Sequence, residues 1–375
     1  MTIFPLTKYK TSKLSILSNV PTFKLETTEK HYRKRQILVQ KLFDYESDYV
    51  NRLHACRNYF ERPLLKHFQT PKSMSPRLAQ SDIMALFEPV NHLFQAHESF
   101  LDNLIQRFQI WGPTQLLSDV LMQLVNNVGV YDRYFERFPQ MMSILETLGR
   151  NKEALKLLEA NVTNPGGIGQ VHLFTLLEMP LYAFSQYFHF VTELRKMTDP
   201  THPDARNLQK LQFHLARIDK EIKPRFNICR NISQLIDVSL TVRDCPLLMD
   251  QPRQFLKSGR LMCAEGKPNA DVRACFLLSD HLILARPVDK GLVYKAKIKI
   301  KHITIKAIRR NSASFVLAVD DSPDHTRQLS EDLGDLLSAA GAAPTKEYVL
   351  KADSLEEMLA WVRDLQDAIQ NVQRR

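Results

Sequence analysis

The chain has 375 residues, of which 44% are hydrophobic and 25% are charged, so it can form two or three domains with sizeable cores. These fractions exclude a broadly disordered chain. The formal net charge of +10 favours an acidic partner, such as an acidic protein surface, an anionic membrane or nucleic acid, and it equally fits a basic globular protein without such a partner.

Cysteine usage and hydropathy bound the cellular setting. The cysteines are Cys56, Cys229, Cys245, Cys263 and Cys275. They form no CxxC pair and their number is odd, which favours reduced, mostly buried thiols over a disulfide framework or a zinc site. No segment reaches the roughly 18 apolar residues that a membrane-spanning helix needs. We therefore expect a soluble, cytoplasmic protein with at most peripheral membrane contact.

The chain begins with a basic, Ser/Thr-rich stretch, residues 1–27, that we interpret as a flexible lead-in. Apolar residues then recur at helical spacing through 81–108, 116–158, 173–197 and 208–242, after a first helix capped by Thr28. Isolated helices are marginal in water, so helices this long need partners along their length. Residues 28–243 are thus predicted to form an elongated all-α bundle, kinked at prolines within two of its helices.

Residues 244–375 change to the two-residue period of β-strands. The run 293–305 alternates strictly and is predicted to place Lys295, Lys297, Lys299 and Lys301 on one face. Residues 320–345 are a polar, Gly/Ala-rich insertion, and Ser354 with Glu357 forms a capping-box pattern that opens a last helix. A β-sandwich or barrel capped by a C-terminal helix is the expected fold of this part.

Five motif-like stretches follow one another in the helical part. They are Ile37–Leu53 (ILVQKLFDYESDYVNRL), Leu86–Leu101 (LFEPVNHLFQAHESFL), Val130–Phe135 (VYDRYF), Pro180–Tyr187 (PLYAFSQY) and His202–Asp204 (HPD). In this order, and followed by the β module, they resemble the Dbl-homology and pleckstrin-homology domains of Rho-family guanine-nucleotide exchange factors. The resemblance covers about residues 30–372.

The resemblance implies a protein that releases nucleotide from a Rho-family small GTPase without covalent chemistry and without a cofactor. Glu46 would accept hydrogen bonds from the first switch, while Tyr182 and Gln186, which are four residues apart on one helix face, would meet the second. Lys196 and Lys223 would complete a basic rim. From the residues alone, Glu46 and the two lysines also fit solvated helix faces. Tyr182 and Gln186 also fit ordinary packing within the bundle.

The sequence also departs from the family pattern. The family usually has Gln-Arg at the positions held here by Tyr182 and Ala183, and Pro with a basic residue at those held by Ser185 and Gln186. A non-catalytic scaffold that binds a GTPase or another protein without exchange therefore remains the alternative. The chain has no GxxxxGK[ST] run, so it is not expected to bind nucleotide as a phosphate-loop protein does.

The basic residues are candidates for binding lipid or nucleic acid. By resemblance to phosphoinositide-binding pleckstrin domains, the lipid candidates are Lys257, Arg260, Lys267 and Arg273. In this chain Cys275 holds the position where the basic signature of such domains has its last arginine. We therefore expect diffuse attraction to anionic phospholipids without headgroup selectivity. The basic residues are scattered and the aromatic stripes look like core, so no nucleic-acid partner is expected. His202, Asp204 and Tyr187 are interpreted as structural, and Asp204 is expected to cap the helix that follows it.

Overall fold

The computed structural model describes residues 26–69, 78–162, 170–264, 270–289, 291–320 and 345–374. Contacts divide the chain into two compact units, Met1–Arg230 and Asn231–Arg375. Residues 1–25 of the predicted lead-in and 321–344 of the predicted insertion lie outside the described residues.

The first unit is helical. Its helices are α1 (Glu26–Ala55), α2 (Arg62–Phe68), α3 (Gln80–Gln109), α4 (Ser118–Asn126), α5 (Val128–Leu148), α6 (Lys152–Val162), α7 (Leu173–Met197) and the first part of α8 (Ala205–Thr241). A π-helical segment, Cys56–Glu61, joins α1 to α2. Helix α3 packs against α1 and α5, and α7 packs against α1. None of the helices in the described ranges combines the length and apolar character that crossing a bilayer requires.

The predicted helical run 116–158 is divided into three helices in the structure. Asn127 ends α4 with φ −90° and ψ 7°, outside the helical region. Asn151 precedes α6, and its side-chain oxygen accepts hydrogen bonds of 3.0 Å from the backbone N–H groups of Glu153 and Ala154. Asparagine favours such caps because its short side chain satisfies free first-turn donors. The spacing of hydrophobic residues alone does not indicate where these helices end.

The second unit is a strand-rich domain closed by a helix. Its strands are β1 (Val242–Arg243), β2 (Phe255–Ala264), β3 (Asp271–Leu278), β4 (His281–Val288), β5 (Gly291–Lys299), β6 (Ile303–Arg309), β7 (Ser314–Asp320) and β8 (Thr345–Lys351), and the helix is α9 (Leu355–Gln373). They form one sheet in the order β1-β5-β4-β3-β2-β8-β7-β6, antiparallel except for β1 with β5. The predicted order of helices, then strands, then one helix is confirmed.

Two apolar clusters stabilise this unit. One packs Met358, Trp361 and Leu365 of α9 against strand residues such as Leu277 and Phe315. The other joins the last turns of α8, through residues such as Leu235 and Val238, to Ala274 and Ile283 of the sheet. The end of α8 therefore belongs to the second unit, and the division falls after Arg230 where the sequence places it at 243/244.

The lysine-rich run 293–305 is not one strand. β5 ends at Lys299, and a 3-10 turn, Ile300–His302, separates it from β6. Ile300 is fully buried, so the chain turns inward to place it in the core. A register shift pairs Ala296 with Leu284 and Tyr294 with Ala285, which leaves Lys295 in a bulge. The predicted face of Lys295, Lys297, Lys299 and Lys301 is thus broken at both ends.

Two local predictions are confirmed. The Ser354 side chain accepts a hydrogen bond of 3.1 Å from the N–H of Glu357 and caps α9, as the capping-box pattern predicts. All the cysteines are buried free thiols. Burial raises the pKa of the Cys229 and Cys275 thiols to about 12, so both stay protonated and unreactive at neutral pH.

A glycine contact in the second unit gives a stability prediction. A Cβ atom built on Gly259 of β2 would lie 3.1 Å from Cζ2 of Trp361, which is almost fully buried and has little room to move. We expect Gly259→Ala to lower the free energy of unfolding by about 1–3 kcal/mol, because overpacking a dense core forces neighbouring side chains to shift. Thermal unfolding followed by circular dichroism measures this.

The matched control is Gly112→Ala, since a Cβ at Gly112 meets nothing within 4 Å. The control should keep the melting temperature of the parent chain. Equal melting temperatures for Gly259→Ala and the parent would show that the contact with Trp361 is not tight.

Candidate functional site

Glu46 lies inside the helical unit. Its carboxylate has 0% exposure, although position 46 was expected to face a partner. One oxygen lies 2.8 Å from Nδ1 of His97, and the other accepts a hydrogen bond of 2.5 Å from the Tyr187 hydroxyl. The expected hydrogen bonds from Glu46 to a GTPase switch are therefore wrong for this structure, because no outside group can reach the carboxylate.

The same buried network extends to a second tyrosine. Nε2 of His97 lies 2.8 Å from the Tyr131 hydroxyl. Burial raises the pKa values of Tyr187 and Tyr131 well above the usual range, and for Tyr187 the nearby Glu46 charge is the second cause. Both hydroxyls therefore remain protonated. The network ties α1 and α3 to α5 and α7. It therefore fixes α7, the helix that carries three of the predicted interface residues, Tyr182, Gln186 and Lys196.

A second buried network surrounds Asp204. Its carboxylate accepts a 2.8 Å hydrogen bond from the Arg35 guanidinium, which is only 2% exposed. The same carboxylate accepts the backbone N–H groups of Leu117 and Ser118, at 2.9 and 3.3 Å. Asp204 was expected to cap the helix that follows it, yet its side chain caps the start of α4. The structural interpretation of the His202–Asp204 loop is confirmed by these contacts.

Helices α7 and α8 present an exposed patch. Tyr182 of α7 is 40% exposed, and its ring meets Phe226 of α8 edge to face at 5.6 Å. The ammonium of Lys223 lies 5.2 Å from the centre of the Phe226 ring. We call this surface, Tyr182, Lys223 and Phe226, the aromatic patch. An exposed tyrosine packed on a half-buried phenylalanine beside a cation is a composition that recurs at protein interfaces.

The remaining predicted residues of α7 lie along the same helix. Gln186 is exposed one turn beyond Tyr182. Next to it, the Ser185 hydroxyl donates to Asp219 of α8 at 3.2 Å. Lys196 is 60% exposed and forms an ion pair of 2.7 Å with Glu193. It stands ten residues past Gln186, or roughly 15 Å along the helix, so the structure does not bring it to the aromatic patch.

Two findings on this surface go beyond the sequence interpretation. Phe226 joins Tyr182 to Lys223, and it was missed because a lone phenylalanine on a long amphipathic helix reads as core. Ala183, one of the departures from the family pattern, is fully buried and so lies in the core. The departures that face outward are Tyr182, Ser185 and Gln186.

Helix α7 lies between α1 and α8. On one side, Tyr45 of α1 contacts Phe190 and Tyr187, with ring centroids 5.7 and 5.5 Å apart. On the other side, Ser185 and Tyr182 meet α8 as described above. The outer surface of α7 is therefore supported by packed helices on both flanks, which suits a rigid docking surface.

The lipid candidates of the second unit do not form one cluster. Lys257 forms an ion pair of 2.7 Å with Asp364 and lies over the Trp361 ring. Arg273 is nearly buried and pairs with Asp271 at 2.7 Å. Arg260 is exposed, and Lys267 lies outside the described residues. Lys257 and Arg273 are thus each paired with a carboxylate of the second unit, and the assignment of the four residues to lipid stays a prediction.

Comparison with known proteins identifies the helical unit. Residues 38–223 match the family model described as the RhoGEF domain. The chain is 23% identical over 361 residues to "Ras-specific guanine nucleotide-releasing factor 2" of Rattus norvegicus, covering 91% of this chain and 29% of that protein. It is 20% identical to human "FYVE, RhoGEF and PH domain-containing protein 2", covering 90% of this chain and 48% of that protein.

A solved structure shares the fold. The N-terminally truncated linker-DH/PH domains of p115-RhoGEF align with a TM-score of 0.50 and 15% identity, covering 91% of this chain and 98% of that one. The helical unit of the chain therefore belongs to the RhoGEF domain family, and it is followed by a pleckstrin-homology-like domain. The chain spans less than a third of the Ras-specific relative, 29% of its length.

The buried position of Glu46 changes what its removal should do. Glu46→Ala leaves the His97 and Tyr187 side chains without their shared partner inside the core, so we expect a loss of about 3–5 kcal/mol in the free energy of unfolding. Urea denaturation measures it. Asp48→Ala, two residues away and 56% exposed, is the matched control and should cost less than about 1 kcal/mol. Equal small losses for both variants would contradict the buried network.

His202 contributes to the pH dependence of this unit. Burial lowers the pKa of His202 below its usual value of about 6.5, and the positive charge of Arg35 is the second cause. The unfolded chain thus takes up the proton first as pH falls. The stabilisation of the folded unit by neutral His202 is complete above about pH 6.5 and is lost as pH falls through the folded-state pKa of His202. The free energy of unfolding then changes by at most about 1.4 kcal/mol per pH unit for one proton.

We expect His202→Gln to flatten this acid slope of the unfolding free energy, measured by urea denaturation at several pH values. His214→Gln, at an exposed position of α8, is the control. An acid slope that His202→Gln leaves unchanged would exclude His202 as its source.

Proposed function

We propose that the helical unit accelerates nucleotide release from a small GTPase, and that this GTPase belongs to the Rho family. The observation that carries the proposal is the aromatic patch, whose Tyr182 and Lys223 are exposed within the matched RhoGEF domain and whose Phe226 lies three residues after it. The Rho family is proposed because the matched family model is the RhoGEF domain.

The proposed mechanism is differential binding. A small GTPase holds its nucleotide through a phosphate loop, Mg²⁺ and two switch segments. A protein that binds the emptied GTPase better than the loaded one shifts the population towards release, and a 10⁴-fold preference corresponds to about 5.5 kcal/mol. The chain needs only to bind the switches in the conformation of the emptied state, so its own residues perform no covalent step.

The aromatic patch fits this task. Tyrosine side chains at the centre of an interface often account for 2 kcal/mol or more of binding energy, because a rigid ring is desolvated at little entropic cost. Tyr182 is held against Phe226, and Lys223 lies beside the same ring, so the patch is organised before any partner arrives. In the proposal Tyr182 and Gln186 contact the second switch, and Lys223 meets acidic groups at its border.

Glu46 enters the proposal in a different role from the one the resemblance implies. Its carboxylate binds His97 and Tyr187 from within the bundle. Tyr187 directly follows Gln186 in α7, so the network holds the register of the helix that carries the interface. The residue supports the surface and does not touch the partner.

Two alternatives to the proposal remain open: one has a different GTPase as partner, and the other has binding without exchange. The similarity to a protein named "Ras-specific guanine nucleotide-releasing factor 2" supports a Ras-type GTPase as the competing partner. A scaffold that binds a GTPase without exchange is favoured by Tyr182, Ser185 and Gln186, which are exposed and depart from the family pattern. Attraction of the second unit to anionic phospholipids has weaker support, because Lys257 and Arg273 are engaged by carboxylates.

Release of a fluorescent guanine nucleotide from a panel of Rho-type and Ras-type GTPases tests the proposal. We expect the parent chain to accelerate release from at least one Rho-type member. Tyr182→Ala and Lys223→Glu should each lower the acceleration about tenfold or more with unchanged melting temperature, since both side chains are exposed. Lys156→Glu, at an exposed position of α6, is the charge-reversal control and should keep full activity.

The outcomes separate the candidates. Acceleration confined to Ras-type members would replace the proposed partner. Binding without release would select the scaffold, and a folded chain that neither binds nor accelerates any member would contradict the proposal as a whole.

A further inference from the structure

Strand β6 is an edge of the sheet in the second unit. Among the strands in the described part of the chain, Ile303–Arg309 pairs with β7 alone. A strand with one paired side offers backbone N–H and C=O groups to another extended segment. Such strand addition gives affinity through the main chain and selectivity through pockets for alternate side chains.

A groove runs between the start of β6 and the C-terminal half of α9. Its volume is about 230 Å³. It is lined by Ile303, Thr304, Ile305, Gln366, Ile369, Gln370 and Gln373. The isoleucines supply apolar contact, and each glutamine amide offers donors and an acceptor that suit a peptide backbone. The groove therefore has the lining expected for an extended peptide that carries an apolar side chain.

The charge along this edge selects the peptide. Residues 300–312 (IKHITIKAIRRNS) contain Lys301, Lys306, Arg309 and Arg310 and no acidic residue. Arg309, the last residue of β6, and Arg310, which follows it, are exposed, whereas Lys306 is paired with Glu347 at 2.6 Å. Acidic side chains in an added segment would meet the two arginines, and carboxylate–guanidinium pairs are the stronger kind of hydrogen bond.

The same features disfavour a second copy of this chain. The register between β6 and β7 shifts between Ile305 and Ala307, which leaves Lys306 in a bulge. Bulges and lysines at edges hinder the pairing of long strands. Two β6 edges would also place like charges opposite each other, which is destabilising. A short segment of opposite charge avoids both penalties, because it pairs before the bulge and neutralises the arginines beyond it.

We propose that the groove between β6 and α9 binds a short, extended acidic segment of a partner protein by strand addition to Ile303–Ile305. An apolar side chain of the segment enters the groove beside Ile369, and its acidic residues reach Arg309 and Arg310. Ile305 and Arg309 are four residues apart, or roughly 13 Å of strand, so five to seven peptide residues span the site. The residues of this site lie in the second unit, whereas those of the aromatic patch lie in the first.

The test uses the full chain and two capped, fluorescein-labelled heptapeptides, EDEVTVT and its reverse TVTVEDE, which cover antiparallel and parallel addition. Fluorescence anisotropy measures affinity. We expect saturable binding of at least one peptide at micromolar concentration, and no binding of a version in which lysine replaces each acidic residue. Isoleucine-methyl NMR should show shifts that include Ile303, Ile305 and Ile369.

Matched variants decide whether the site is the one proposed. The double variant Arg309→Glu and Arg310→Glu should weaken binding tenfold or more while circular dichroism shows an unchanged fold. Lys295→Glu reverses an exposed charge on β5 and should leave affinity within twofold. An unchanged affinity in the double variant, or equal binding of the lysine peptide, overturns the proposal.

Vesicles of phosphatidylcholine with one fifth phosphatidylserine distinguish a lipid from a peptide. Vesicle binding that the double variant abolishes, together with absence of peptide binding at millimolar concentration, would assign the arginines to a membrane and overturn the proposal. Peptide binding that vesicles do not displace supports it.

Discussion

The buried hydrogen bonds of Glu46 are the interaction on which the helical unit depends. A carboxylate taken out of water is costly unless its oxygens are hydrogen-bonded. Here His97 and Tyr187 occupy both oxygens, and Tyr131 holds the far side of the imidazole. These contacts connect helices that are distant in sequence, so they select one arrangement of the bundle where apolar packing alone would tolerate several.

That arrangement determines which side chains are available to a partner. With Tyr187 bonded inward, its neighbour Gln186 and the ring of Tyr182 lie on the outer surface of α7. Helix α8 then adds Phe226 and Lys223 to complete the aromatic patch. In the second unit, β6 lies beside a groove formed with α9 and, among the described strands, pairs on one side alone. In both units the buried contacts define the surface that remains free.

The sequence predicts the fold well because long apolar periodicities report which faces are buried. It predicts α7 and α9 closely, and Ser354 as a cap, since these depend on local spacing. It fails where long-range contacts decide. Helical spacing does not tell whether Glu46 faces solvent or the core, and alternation does not reveal that Ile300 turns the chain inward. For the same reason Asp204 was assigned to the wrong helix.

The proposed exchange activity requires the chain to prefer an emptied GTPase. Its affinity for one Rho-type GTPase, measured by calorimetry in the nucleotide-free state and in the GDP- and Mg²⁺-loaded state, tests this most directly. The account predicts that the emptied form binds at least about a hundredfold more tightly, a difference of about 2.7 kcal/mol. Equal affinities for the two forms would contradict it, because a protein without differential affinity cannot shift the nucleotide equilibrium.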